Sequence, residues 1–384
     1  MKLVEGQPAS GADEIIARVK RRLANEPEVD PTRLSALIRE EAVVLSDVDV
    51  LAIMRRLRDD TTGAGPLEPL LADSNVTDIC VNGPFEVYAD AGRGLERTPV
   101  TFGSDADVRR LATRFAASCG RRLDDAQPFC DGHLARDNGT LLRFHAILSP
   151  AAHAGTCLSL RVLRNTTVTL DELCERGAMD TERADALRRV VQRRRAFLVL
   201  GGTGAGKTTL LSAMLAEVDP VERIVVIEDT LELTPRHPHV VNLTSRGPNA
   251  EGAGQITLTD LLRQSLRMRP DRIVVGEIRG AEVVDLLAAL NTGHDGGAGT
   301  LHANSIHEVP ARMEALAALG GLDRLSLHSQ LAAAVDVVAV VTRRPDGSRV
   351  LQQLGVVEGN PVTARVVWDA DAGELEGYRE VFGV

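Results

Sequence analysis

Phe197-Leu198-Val199-Leu200-Gly201-Gly202-Thr203-Gly204-Ala205-Gly206-Lys207-Thr208-Thr209-Leu210-Leu211 passes from an apolar strand through a glycine-rich turn into a helix that opens on Lys-Thr-Thr. The spacing G-x-x-x-x-G-K-[ST] is that of a phosphate-binding loop, and each part has a physical reason. Glycines let backbone N–H groups close around phosphate oxygens, and the helix N-terminus adds the positive end of its dipole. Gly202, Thr203, Gly204, Ala205, Gly206 and Thr209 form the cradle. Lys207 is placed to reach the β and γ phosphates, and the Thr208 hydroxyl to ligate Mg²⁺. A strand-to-helix turn carrying a lysine by coincidence is the bland alternative, and the strand before and helix after weigh against it. The expected ligands are ATP and Mg²⁺.

Outward from this loop, from Leu170 onward, helical stretches alternate with apolar strands at 197–200, 224–227, 273–275, 299–301 and 337–341. Such alternation implies parallel βαβ units with helices on both faces of the sheet, and a ligand at the strand C-termini. The strand at 224–227 runs into Glu228-Asp229-Thr230-Leu231-Glu232, and that at 273–275 into Gly276-Glu277-Ile278-Arg279-Gly280. If both neighbour the loop strand, Glu228, Glu232 and Glu277 converge on the γ-phosphate, where hydrolysis needs a positioner for water and an acid near Mg²⁺. Carboxylates after strands also serve as ordinary helix caps. Glu277 differs from the usual acid of such strands because Gly276 precedes it and no Asp is present, which favours contact with a metal-bound water over direct ligation.

The segment from Asn291 to Asn304 puts His294 and His302 on either side of a short strand. His302, at the strand end, could report on a γ-phosphate; a satisfied structural histidine is the competing reading. Arginines matter because phosphoryl transfer spreads charge over the γ oxygens. Arg267, Arg269 and Arg279 lie near the acidic strand, and Arg143 and Arg161 in the preceding region. Arg193-Arg194-Arg195 reads as a charged helix C-terminus.

Upstream, residues 1–62 carry helical periodicity in three stretches: Ile15, Ile16, Val19 and Leu23; Leu34, Leu37 and Ile38; Val50, Ile53, Met54 and Leu57. Pro27 and Pro31 separate the first two, and Ser46-Asp47 can cap the third. Residues 63–168 read as an α+β domain, with a hairpin around Asn82-Gly83-Pro84-Phe85, a helix from Asp105 to Ser118, and strands near 141–147 and 157–162. Residues 169–384 form the nucleotide domain. The whole is 384 residues with 44% hydrophobic and 26% charged content, enough for several packed domains, and its net charge of −10 argues against nucleic acid as a general partner. No apolar run is long enough to span a bilayer, the N-terminus has no secretory h-region, and the five cysteines never fall in a C-x-x-C pair. A cytoplasmic location is expected.

Four motifs in order make the chain resemble the secretion-superfamily ATPases of type II and type IV secretion and type IV pili. They are the phosphate loop, Val226 to Leu233, Leu266 to Gly280, and Asn291 to Asn304, which are similar to that family's Walker A, Asp box, atypical Walker B and His box. Arg267-Met268-Arg269-Pro270-Asp271-Arg272 and Thr292-Gly293-His294-Asp295-Gly296 look like the tight-adherence (Flp) pilus motor branch, as do Gly65 to Leu71, Val76 to Gly83 and Gly120 to Asp124. The resemblance implies a RecA-like P-loop NTPase domain behind a smaller α+β domain and a helical unit. It implies a homohexamer at the inner face of the cytoplasmic membrane, acting on a polytopic platform protein. Carried over by position, Glu232 is the general-base candidate, Glu277 the Walker B acid, and Arg267 an arginine for phosphate or a neighbour. The stretch Leu134 to Arg143 departs from the branch's Leu-Pro-Asp-Gly-Ser-Arg, and the chain after Arg344 fits the family poorly. The tetracysteine zinc subdomain of type II motors has no counterpart. A nucleic-acid translocase on the same core and an ATP-binding scaffold with little turnover are the rival readings.

Overall fold

The computed structural model describes residues 18, 19, 22, 31–41, 46, 49–51, 53, 54, 57, 63–136, 139–163, 167–248 and 253–383. These divide into two compact units, Met1–Leu134 with Leu142–Val162, and Ala135–Leu141 with Leu163–Val384.

In the first unit, helix α1 (Pro31–Glu41) contributes Ile38 to a small apolar cluster with Val19, Val50, Ile53 and Leu57. Ser46 accepts from the Asp49 N–H through its Oγ (3.2 Å) while the Asp49 carboxylate takes the Ser46 N–H (3.1 Å), a reciprocal cap at the third helical stretch. Ile15, Ile16, Leu23, Pro27 and Asp47 lie outside the described residues.

The rest of this unit is built from α2 (Glu68–Ala72), β1 (Asp78–Asn82), β2 (Val87–Asp90), β3 (Leu95–Arg97), α3 (Asp105–Ser118), β4 (Phe129–Ala135), β5 (Leu141–Ile147) and β6 (Cys157–Leu163). Its six strands run in the order β3-β2-β1-β6-β5-β4. Strands β5 and β6 alternate buried and exposed positions, as a sheet covered on one face requires. The cover is α3, whose Val108, Leu111, Ala112, Phe115 and Ala116 enter the same core as Ile79, Val81, Phe144 and Leu160. The expected hairpin, helix and two strands are all present; β3 and β4 are additions.

The second unit opens on α4 (Leu170–Glu175), started by a capping box between Thr169 and Glu172, and α5 (Thr181–Gln192), capped by Asp180. Then come β7 (Phe197–Leu200), α6 (Lys207–Leu215), β8 (Ile224–Glu228), β9 (Val240–Thr244), α7 (Leu258–Ser265), β10 (Arg272–Ile278), α8 (Glu282–Leu290), β11 (Ala298–Leu301), α9 (Val309–Leu319), α10 (Arg324–Ala334), β12 (Val337–Arg343), β13 (Arg349–Glu358), β14 (Thr363–Asp369), β15 (Gly373–Glu374) and α11 (Tyr378–Phe382). They form one nine-stranded sheet in the order β15-β14-β13-β12-β7-β11-β10-β8-β9. From β12 to β9 every neighbouring pair is parallel, while β13, β14 and β15 add on antiparallel. All four residues of β7 and all five of β8 are buried, because helices cover both faces. Val199, Val226 and Val274 pack on one side with α5 and α6; Leu198, Ile227 and Val275 pack on the other with α7, α8, α9 and α10. Burying one such side chain stabilises by roughly 1.5–3 kcal/mol.

The parallel order has a direct consequence for the site. It brings the C-terminal ends of β12, β7, β11, β10 and β8 to one edge, in that sequence. The other edge, where the strands start, is tied by Arg272, buried to 1% exposure, whose Nε and Nη2 donate to Glu222 (2.7 and 3.2 Å), Nη2 also to the Val191 carbonyl (3.0 Å), and Nη1 to the Gly296 carbonyl (3.2 Å). Gly296 is glycine for that reason, since a Cβ there would stand 2.2 Å from the guanidinium. Arg194, just past the end of α5, pairs with Glu222 at 3.0 Å, so the arginine run does close that helix.

Candidate functional site

The loop after β7 takes a path that only glycine follows without strain. Gly204 and Gly206 have φ of +71° and +100°, and Gly206 caps α6 in the left-handed conformation. Gly201 is held by crowding, its missing Cβ standing 2.5 Å from the carbonyl oxygen of Val341 on β12. Lys207, the first residue of α6, turns its Nζ back to donate to the carbonyls of Gly201 (3.0 Å) and Gly202 (3.1 Å). Burial pulls this ammonium below the usual lysine range, while Glu277 and Glu232 pull it back up. Thr208 and Thr209 follow in the first turn, half-buried.

On the β10 and β8 side stand the acidic residues. Glu277 is partly exposed and paired to Arg279, which also faces Asp229 and Glu232. Together with Lys207 these charges form one electrostatic cluster at the strand ends. Glu228 behaves differently. It is 5% exposed and its carboxyl oxygens accept from the backbone N–H groups of Glu232 and Leu233 at 3.1 to 3.3 Å. Burial pushes it up to about 8 against the pull of those N–H groups, so at neutral pH it holds a proton and shapes the loop that carries Glu232. Gly276 is the other half of this arrangement. A Cβ there would stand 2.5 Å from the Glu228 Cγ, which explains the glycine in place of a side chain before Glu277. The Gly276 carbonyl accepts from Thr300 Oγ1 at 2.6 Å, fixing β10 to β11.

Sequence reading passed over Glu282. Buried at the start of α8, it accepts from the N–H groups of Arg279 (2.6 Å) and Gly280 (2.7 Å), so the turn holding Arg279 is fastened from behind. The histidines separate. His302 follows Leu301, the partner of Leu200 in the β7–β11 register, and so lies beside the phosphate loop. Asn304 joins it, its Oδ1 3.8 Å from where a Gly202 Cβ would be. His294 precedes β11 at the other edge, where its Nδ1 donates to the Ala289 carbonyl at 3.2 Å. Arg267 is also there, between α7 and β10, donating to the Arg263 carbonyl at 3.2 Å. Within this chain neither joins the cluster around Lys207.

The arrangement can bind a polyphosphate across the strand ends and act on its terminal phosphoryl group. Glu277, Glu232 and Arg279 face Lys207 at that edge. The described residues hold no group of three or more His, Cys, Asp or Glu suited to a metal ion.

A family model described as Type II/IV secretion system protein matches residues 60–355. A Mycobacterium tuberculosis (strain ATCC 25618 / H37Rv) protein named for conjugal transfer is 58% identical over 335 residues, 86% of this chain and 95% of that one. The type IV secretion system protein PtlH of Bordetella pertussis is 33% identical over 72% of this chain and 88% of its own. Among solved structures, the Legionella pneumophila ATPase DotB superposes with a TM-score of 0.56 at 20% identity over 80% of each chain, a likeness of fold that agrees with the expected α/β, RecA-like architecture.

Proposed function

Because this chain belongs to the Type II/IV secretion system protein family, we propose that it is an ATP-hydrolysing motor that works as a homohexamer. In this reading it drives assembly of a tight-adherence (Flp) type IV pilus, or a related secretion system, from the cytoplasmic face of the inner membrane through a polytopic platform protein. One observation carries the enzymatic part: Lys207, Glu277, Glu232 and Arg279 form a single charge cluster at the edge to which the phosphate loop opens. The loop N–H groups and Lys207 bind the β and γ phosphates; Glu277 and Glu232 orient and deprotonate the attacking water; Arg279 offsets charge gathering on the γ oxygens. Bound Mg²⁺ supplies Lewis-acid neutralisation of the phosphate oxygens, with Thr208 and Glu277 holding it or its waters.

No helix among the described residues is long and apolar enough to cross a membrane. Phosphate release by the purified chain, measured alongside light scattering, tests both halves. Turnover that rises with assembly into a ring supports the reading, and full turnover by a monomer overturns its hexameric part. The conjugal-transfer name of the 58% relative favours a second reading, a nucleic-acid translocase on the same core. Salt-sensitive stimulation of turnover by single-stranded DNA decides for it, and a flat response decides against.

A further inference from the structure

The antiparallel end of the sheet reaches the phosphate loop from the side opposite the acids. Strand β12 lies directly beside β7, whereas Glu277 stands on β10 with β11 between. A polyphosphate whose γ end lies toward Glu277 therefore has its α-phosphate and nucleoside over the ends of β12 and β13. Two arginines wait there. Arg343 closes β12, Arg349 opens β13, and the two are direct cross-strand partners.

Arg349 Nε donates to the Gly204 carbonyl at 2.9 Å, and its Cδ stands 3.1 Å from where a Gly206 Cβ would be. The arginine stem thus lies along the loop and is a second reason for glycine at 206. Arg343 brings its Nη1 to 4.0 Å from the Cβ position of Gly204. The connecting turn is closed by Arg344 N–H to Ser348 O (2.8 Å), Gly347 N–H to Arg344 O (2.9 Å) and the Asp346 carboxylate, which accepts from Ser348 N–H (2.8 Å) and Oγ (2.6 Å). Among the described residues no carboxylate pairs with Arg349. A built hairpin that lays this arginine along a phosphate loop is one suited to an anion.

We propose that Arg349, seconded by Arg343, is a positioning residue for the nucleotide: it holds the Gly204 segment of the loop in its binding shape and adds positive charge at the α,β-phosphate end. This rests on the ATPase reading above. Its signature is uniform binding. ATP and ADP share the α and β phosphates, so both gain equally, and the chemical step gains nothing.

The test is nucleotide affinity by calorimetry and steady-state turnover for the full chain, Arg349→Ala and Arg344→Ala. Arg344 is exposed on the same turn, and its replacement removes the same charge. Arg349→Ala should weaken ATP and ADP about 10-fold each, the size of one hydrogen bond to a charged group, raising KM while kcat stays within about twofold. Arg344→Ala should match the wild type, and melting temperatures should agree across the three proteins. Equal affinities in Arg349→Ala and wild type, equal losses in both variants, or a fall in kcat at constant KM each overturn the proposal while leaving the ATPase reading intact. Wild-type protein that binds no nucleotide overturns the function itself.

Discussion

The two edges of the nine-stranded sheet use the same residue types to opposite ends. Where β10 starts, Arg272 is buried and its nitrogens donate to Glu222 and two backbone carbonyls. Where β10 ends, Glu277 and Arg279 remain partly exposed, near a half-buried lysine whose Nζ donates, among the described residues, to loop carbonyls. One strand thus carries a buried ion pair at one end and a partly exposed one at the other. The difference is in what surrounds the charges: protein at the first edge and, in the proposed reading, a nucleotide at the second. An arginine or glutamate is marked as functional by partners that a ligand can replace.

Substitutions at the two edges should therefore fail in different ways. The largest effect belongs to Lys207→Ala, which removes the loop's own cation and should reduce ATP affinity by more than about 100-fold in calorimetry, with little change in melting temperature. Unchanged affinity would remove the phosphate-loop assignment. Glu277→Gln keeps the shape of the carboxylate without its basicity, so phosphate release should fall about 100-fold or more while ATP still binds. Near wild-type turnover in that variant would take Glu277 out of the chemistry.

At the far edge, Arg272→Ala takes the buried donor from Gly296 and Val191 and leaves Glu222 with Arg194 as its cation. It should cost about 3 kcal/mol of stability in denaturant melts, the low end for breaking a buried pair, because Arg194 still offsets the Glu222 charge. The fraction that stays folded should bind ATP within about threefold of wild type; a selective loss of binding would erase the contrast between the edges.

The smallest effect is predicted for Glu228→Gln. Its carboxyl goes from an ordinary value near 4.5 when unfolded to about 8 when folded, so the folded state holds the extra proton between those values. Stability from this group is complete below about pH 4.5 and is lost as pH rises toward 8. Glutamine mimics the protonated form. The variant should keep turnover within a few fold and flatten the decline of melting temperature across that window, and an unchanged slope would show that the proton sits elsewhere.

Much of this was legible in the sequence wherever a local rule is strict. The phosphate loop needs glycine at given spacings, and the apolar runs at β7, β8 and β12 have few alternatives to buried parallel strands. Glu277, Arg279 and His302 lie at or just past the C-terminal ends of parallel strands and so reach one edge. The C-terminal sheet extension was missed because Arg349–Glu358 has an uneven burial pattern set by its neighbours β12 and β14 rather than by a period of two. With it went Arg343 and Arg349, whose nearness to the loop arises from strand order. His294 and Arg267 could not be sorted from the site by spacing alone. Strand direction decides which edge a flanking residue occupies, and both precede their strands.

The close approach of Gly276 and Glu228 has a hereditary side. Two positions far apart in the chain compete for one volume, so 276 cannot gain a side chain while 228 keeps its long acid. A descendant of this sequence that puts a small side chain at 276 must shorten the residue at 228 with it. A selection for revertants of Gly276→Ala should accordingly return shortened residues at 228 more often than restored glycine elsewhere on β10, making the pair one inherited character written at two addresses.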